Sequence, residues 1–195
     1  MNFFKKLINL TKSSEESEIK KQEVHLSLDD SFVHHFIEKG GKFLYCSNLK
    51  EVVTNFKQII KENNWTDIIV TDKDLSKLIH KLDIKQHKKQ DVSFPFFSTC
   101  EHLIADNGNV LFSSNQLNSN KLSELTKDFI IYATTSQLVK NTGEGLTGIK
   151  TNFKGNIPTN ISAIKNYIIN KNDDNFLNYG NTNSKNLYLL LFEDL

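Results

Sequence analysis

The sequence predicts an α/β fold: a mostly parallel sheet covered by helices on both faces. Two observations carry this reading. Short apolar runs rich in β-branched and aromatic residues alternate with longer segments whose apolar residues recur at helical spacing. The short runs are also near-continuous in apolar character, as expected of strands buried on both sides of a parallel sheet. A third observation sets the scale. At 195 residues and 22.4 kDa, with 38% hydrophobic and 24% charged residues, the chain suits one domain with a sizeable core.

Residues 1–10, MNFFKKLINL, put Phe3, Phe4, Leu7, Ile8 and Leu10 on one helical face and Lys5 and Lys6 on the other. This is an amphipathic segment, short for an isolated helix, and two lysines are a weak membrane signal. Residues 11–23 hold a single apolar residue, Ile19, and read as a disordered tether. The expected division is therefore 1–27 as amphipathic segment and tether and 28–195 as the folded domain. Within it, Asp29 or Asp30 caps a helix reaching about Lys39, with Phe32, Val33, Phe36 and Ile37 inward. Gly40-Gly41 ends that helix. Lys42 to Cys46 is the first strand. Asn48 caps a helix from Leu49 to about Asn63 with Val52, Val53, Phe56, Ile59 and Ile60 inward. Asp67 to Val70 is the second strand. Asp72 and Asp74 open a further helix with Leu75, Leu78, Ile79 and Leu82 inward. The polar stretch 86–90 is a connection, and Phe94 to Thr99 is the next strand.

The stretch from Ser98 to Ser114 organises the middle of the chain. Leu103-Ile104-Ala105 and Val110-Leu111-Phe112 flank the polar loop Asp106-Asn107-Gly108-Asn109. Asn-Gly is a strong short turn signal, because Gly adopts φ > 0 freely and Asn tolerates it. After it, 115–121 is polar and expected to be exposed, and Asp128 to Thr134 (DFIIYAT) is a strong strand. A helix is expected from Ser136 through about Phe153, a loop over 155–160, a short helix from Ile161 to about Asn170, and a buried strand at Leu187 to Phe192. Gly143, Gly145 and Gly148 spell G-x-G-x-x-G. They follow an expected helix rather than a strand, which argues against a dinucleotide site.

The segment Ile104 to Leu111 resembles the Ala-Glu-Thr-Gly-Thr loop and following strand of the LUD-domain family, which includes lactate-utilisation protein C. Ala105 and Gly108 match that loop; Asp106 replaces its glutamate, and Asn107 and Asn109 its threonines. The resemblance runs from about Phe43 to the C-terminus. It implies a NagB/RpiA/CoA-transferase-like fold, a Rossmann-like three-layer α/β/α sandwich. Departures are visible. The strand at Asp128 to Thr134 lacks the family's histidine and preceding prolines. Pro158-Thr159-Asn160-Ile161 matches only part of a Gly-Pro-Ser-x-Thr-Ala-Asp-Ile motif. Gly180 stands in the closing turn without its histidine.

Composition narrows the function classes. A net charge of +1 gives no field favouring nucleic acid. All 24 basic residues are lysine, so no guanidinium fork is present for a phosphate or carboxylate. The two cysteines, Cys46 and Cys100, form no CxxC pair and cannot supply the four thiolates of a cluster or structural zinc. They read as reduced packing residues of a cytoplasmic protein. No HxH or HExxH pattern marks a metal site, and no cofactor is expected.

The leading candidate site is Asp106, Asn107, Gly108 and Asn109, whose backbone N–H groups and amides would form a concave donor set for an anion. Asp106 would orient a substrate hydroxyl or act as a base; the competing reading is a turn with a purely structural role. Thr134, Thr135 and Ser136 follow a strand end, where ligands of open α/β sheets usually sit, as do Cys46-Ser47, Thr71-Asp72 and Ser98-Thr99. Thr159 and Asn160 are a further pair. Glu101 is read as structural, although CoA-transferase relatives use a glutamate nucleophile. By resemblance, the chain is a non-cluster component binding a small anionic ligand or a partner beside iron–sulfur oxidoreductase subunits that oxidise L-lactate to pyruvate. The alternatives are a stand-alone NagB/RpiA-type enzyme or binding module for a sugar phosphate or acyl-CoA, and a degenerate interaction protein docking through its N-terminus.

Overall fold

The computed structural model describes residues 26–89, 91–153, 155–169 and 183–194. The amphipathic segment 1–10, the tether 11–23 and the closing turn at 179–180 lie outside them. Five helices and ten strands are described: α1 (Leu28–Glu38), β1 (Lys42–Cys46), α2 (Leu49–Glu62), β2 (Asp67–Val70), α3 (Lys73–Leu78), β3 (Lys85–His87), β4 (Phe96–Ser98), β5 (His102–Ile104), β6 (Asn109–Phe112), α4 (Ser114–Leu117), β7 (Asp128–Thr134), β8 (Leu138–Val139), α5 (Thr142–Asn152), β9 (Ser162–Ile164) and β10 (Asn186–Phe192).

Six strands form one sheet in the order β1-β10-β7-β4-β2-β3, and every pairing in it is parallel. Its central strands need apolar side chains on both faces, which is why DFIIYAT and LYLLLF read as unbroken runs. One face packs Ile68, Val70, Phe97, Ile130 and Leu190 against Val52, Phe56 and Ile59 of α2 and Leu75 of α3. The other presents Phe96, Phe129, Ile131, Leu187 and Leu189 to Phe32 and Phe36 of α1 and to a small sheet. That second sheet has the order β8-β5-β6-β9, and α5 lies on it through Ile149 against Ile104 and Leu111. The fold is thus α/β with helices flanking a mostly parallel sheet, a three-layer sandwich in which the hairpin sheet contributes to one outer layer.

Local chemistry explains where the elements depart from sequence expectation. Ser27, not Asp29 or Asp30, caps α1, its side chain accepting from the Asp30 N–H. Ile37, expected inward, is half exposed. The polar stretch after α3 contains β3, an edge strand that pairs with β2 alone and so needs no apolar run. The stretch 115–121 is not simply exposed: Gln116 and Leu117 of α4 are buried. The helix expected from Ser136 begins only at Thr142. Residues 135–137 form a 3-10 turn fixed by Gln137, which accepts from the Thr134 N–H and donates to the Cys100 carbonyl. Leu138 and Val139 then pair with β5 as β8, and the Asn141 side chain caps α5. The glycines of GEGLTG therefore sit inside α5, where a side chain at Gly145 would meet Ile104 and one at Gly148 would meet His102. They serve helix-on-sheet packing. The short helix expected from Ile161 is β9, claimed by pairing with β6.

One buried cation tests this packing by pH. Lys185 is 2% exposed, and its Nζ donates to the carbonyls of Leu125 and Thr126 at 2.9 and 2.8 Å. Burial pushes its pKa down to about 8 from the ordinary 10.5, helped by Lys127 and opposed by Asp128. Between those values the unfolded chain holds a proton that the folded chain has released. Stability from this group therefore rises as pH climbs through that window and is lost as pH falls back through about 8. In urea denaturation at a series of pH values from 7.5 upward, Lys185→Met is expected to remove that rising component; an unchanged pH slope in the variant would contradict the assignment.

Candidate functional site

Chain connectivity locates a crevice in the main sheet. From β2 the chain passes through α3 to β3, its neighbour on one side. From β4 it passes through the β5–β6 hairpin to β7, on the other side. Adjacent strands β2 and β4 thus send their connections in opposite directions, which opens a crevice beyond their carboxyl ends, the usual ligand position in open α/β sheets. A cleft of about 340 Å³ lies there. Thr71, Asp72, Lys73 and Asp74 line it from the end of β2 and the start of α3, Ser98 and Thr99 from the end of β4, and Asn115, Gln116 and Asn118 from α4.

Each wall is held by its own local chemistry. Asp72 caps α3: its Oδ1 accepts from the N–H groups of Asp74 and Leu75 at 2.8 and 2.9 Å, while its Oδ2 accepts no hydrogen bond from a described residue. Asp74 faces Lys77 at 2.9 Å, both side chains largely exposed, so the pair adds little stability. The α4 wall is braced by Glu101. Its Oε1 accepts from Ser113 Oγ at 2.5 Å, Asn115 Nδ2 at 2.8 Å and Gln116 Nε2 at 3.1 Å. Ser113 also closes a capping box with Gln116. Those bonds make Glu101 a positioning carboxylate, in line with the structural reading of the sequence.

The sequence-derived candidates fall in three separate places. The loop Asp106–Asn109 does turn tightly, with Gly108 at φ +64°. Yet it packs on the last turns of α1, which feeds the amino end of β1, so it lies away from the carboxyl-end crevice. Three of its backbone donors are engaged. The Asp106 N–H donates to Lys140 O, the Gly108 N–H to Ile104 O and the Asn109 N–H to Asn107 Oδ1. Its acceptors are engaged too: Lys39 Nζ donates to Asn107 O and Asn109 Oδ1, and Tyr167 OH to Gly108 O. Asp106, Asn107, Gly108 and Asn109 thus form a hairpin turn clasped by α1, with Asp106 itself exposed. Ser31 Oγ and His35 Nδ1 extend the clasp by donating to Ala105 O.

Thr134, Thr135 and Ser136 do sit at a strand end and do receive an anion, but it is the chain's own. Thr135 Oγ1 and the Ser136 N–H donate to Asp194 Oδ1 at 2.7 and 2.9 Å, and Ser136 Oγ donates to Oδ2 at 2.6 Å. The Ser136 donors hold the Asp194 carboxyl well below the usual carboxylate range. Thr159 and Asn160 brace α4 from outside, the Thr159 N–H donating to Ser114 Oγ and Asn160 Nδ2 to Asn120 O. Cys46 and Cys100 are buried, and burial pushes both thiols up in pKa, as suits packing residues. Among the described residues, no group of three or more His, Cys, Asp or Glu is placed to hold a metal ion.

Of the cleft residues, Thr71-Asp72 and Ser98-Thr99 are legible as strand ends. Lys73 is missed because nothing local distinguishes it from other surface lysines. The α4 residues are missed because a four-residue helix carries no periodicity.

An all-parallel sheet with flanking helices and a polar cleft at its topological switch defines the fold class, an α/β sandwich. No protein-family model matches the chain, and no curated protein sequence matches it. Among solved structures, it is similar to the crystal structure of a DUF162 family protein from Deinococcus radiodurans, with a TM-score of 0.61 and 12% sequence identity. The similarity covers 87% of this chain and 99% of that one. At that identity the likeness establishes the fold. No described helix is long and apolar enough to cross a membrane.

Proposed function

We propose that this chain is a LUD-domain protein, resembling lactate-utilisation protein C, that binds a small hydroxylated ligand in the β2–β4 cleft. It would serve as a non-cluster component beside iron–sulfur subunits that oxidise L-lactate to pyruvate. The observation that carries the ligand site is the cleft itself: a polar cavity at the point where strand connections diverge. Support for the family comes from the likeness to a DUF162 protein, DUF162 being the LUD-domain family, together with the Ile104–Leu111 resemblance. With two cysteines in the sequence, cluster ligands would come from the partners.

The test is a thermal-shift panel of L-lactate, pyruvate, sugar phosphates, CoA esters and nucleotides against wild type, Lys73→Ala and Asp106→Ala. Ligand at a hundredfold over its dissociation constant adds about 2.7 kcal/mol, which is several degrees for a domain of this size. L-lactate is expected to shift wild type and Asp106→Ala but not Lys73→Ala. A shift confined to sugar phosphates or CoA esters would move the chain to the stand-alone NagB/RpiA-type reading. Co-purification with Cys-rich iron–sulfur subunits tests the partner arm, and its failure under native expression would count against it.

A further inference from the structure

We infer that the β2–β4 cleft selects a hydroxylated ligand carrying no more than one negative charge, and so excludes phosphorylated ligands, with Ser98 as its buried anchor. The inference rests on the reading of that cleft as the ligand site and goes on to name the ligand class.

Ser98 is the first observation. It lines the cleft, yet it is only 2% exposed, and no described residue hydrogen-bonds its hydroxyl. A buried hydroxyl without a protein partner is costly, and such groups call for an explanation. Its neighbours do not demand a serine: the β4 residue two places earlier on the same face is Phe96, in the apolar core. A polar residue at that position suits a ligand that supplies the missing partner.

Charge and chemistry give the class. The lining holds one cation, Lys73, against the carboxylates of Asp72 and Asp74. A phosphate dianion would face two carboxylates with a single ammonium, and the chain has no arginine to grip it in a fork. A single carboxylate on the ligand is matched by Lys73. The free Oδ2 of Asp72 is an acceptor for a ligand hydroxyl, and the hydroxyls of Thr71, Ser98 and Thr99 both donate and accept. This inventory is short of positive charge and rich in groups that pair with hydroxyls. A volume of about 340 Å³ lies within the range of small-molecule sites.

The experiment is a matched-pair titration by calorimetry. D-glycerate is compared with 3-phosphoglycerate, and D-ribose with ribose 5-phosphate, on the wild-type chain and on Ser98→Ala. The unphosphorylated member of at least one pair is expected to bind tenfold or more tightly than its phosphorylated partner. Ser98→Ala is expected to weaken that binding about tenfold while the free protein melts no lower than wild type, because the substitution removes an unpaired buried hydroxyl. Tighter binding of the phosphorylated members would overturn the inferred class and leave the cleft as the site. Binding unaffected by Ser98→Ala would overturn the anchor. Failure of all four probes would overturn the inference; failure of L-lactate to bind as well would overturn the cleft reading on which it stands.

Discussion

Gly108→Ala is expected to destabilise the protein by about 2–5 kcal/mol, a fall of roughly 5–15 °C in melting temperature. Two effects add. Gly108 has φ +64°, a left-handed conformation that costs a residue with a Cβ about 1–2 kcal/mol. A Cβ there would also lie 2.5 Å from the Phe36 backbone N and 2.7 Å from the His35 carbonyl carbon. Those atoms belong to a helix backbone and cannot swing aside, so α1 must move off the hairpin, an overpacking cost of about 1–3 kcal/mol. Gly155 supplies the control: its φ is +89°, but nothing lies within 4 Å of an added Cβ. Gly155→Ala should therefore show the dihedral cost alone. Equal losses in the two variants, measured by denaturant unfolding, would show that the close approach of loop and helix contributes nothing.

Phe129→Ala is expected to cost about 3–5 kcal/mol. Phe129 stands on β7, in the middle of the parallel sheet, and is fully buried. Its ring meets Phe96 of β4 edge-on at 5.4 Å and Phe112 of β6 at 6.2 Å, so it joins the main sheet to the hairpin sheet. The surrounding aromatic rings are themselves buried and leave little room for collapse into the cavity. A loss below about 1 kcal/mol would mean that the two sheets do not share a core.

Both variants act on contacts between segments distant in the sequence. The strands Asp67–Val70 and Asp128–Thr134 are legible because central parallel strands must be apolar on both faces. Asn48 is legible as a cap because its side chain works within three residues. β3 is hidden because an edge strand of three residues needs no apolar pattern, and its register is set by Asp67 to Ile69 far back in the chain. β8 and β9 are hidden because each is made by pairing with the hairpin, not by its own propensity. The same distinction governs the site. The turn at Asn107-Gly108 is local and is read correctly as a turn. Which of its polar groups are engaged is not local: Lys140 O accepts from the Asp106 N–H, Lys39 and Tyr167 donate to its oxygens, and no spacing in the sequence brings them together. Likewise Asp194 reaches Thr135 and Ser136 across about sixty residues, which turns a would-be receptor into an internal contact. The strand ends Thr71-Asp72 and Ser98-Thr99 are visible in the sequence, but their adjacency depends on the strand order.

Ligand is expected to bind at the β2–β4 crevice and not at the Asp106–Asn109 loop. The most direct measurement is an amide chemical-shift map of the ¹⁵N-labelled chain titrated with L-lactate. Movement is expected at Thr71, Lys73, Ser98 and Thr99, with the amides of Asn107, Gly108 and Asn109 unmoved. Shifts concentrated in the loop, with Ser98 and Thr99 silent, would contradict it.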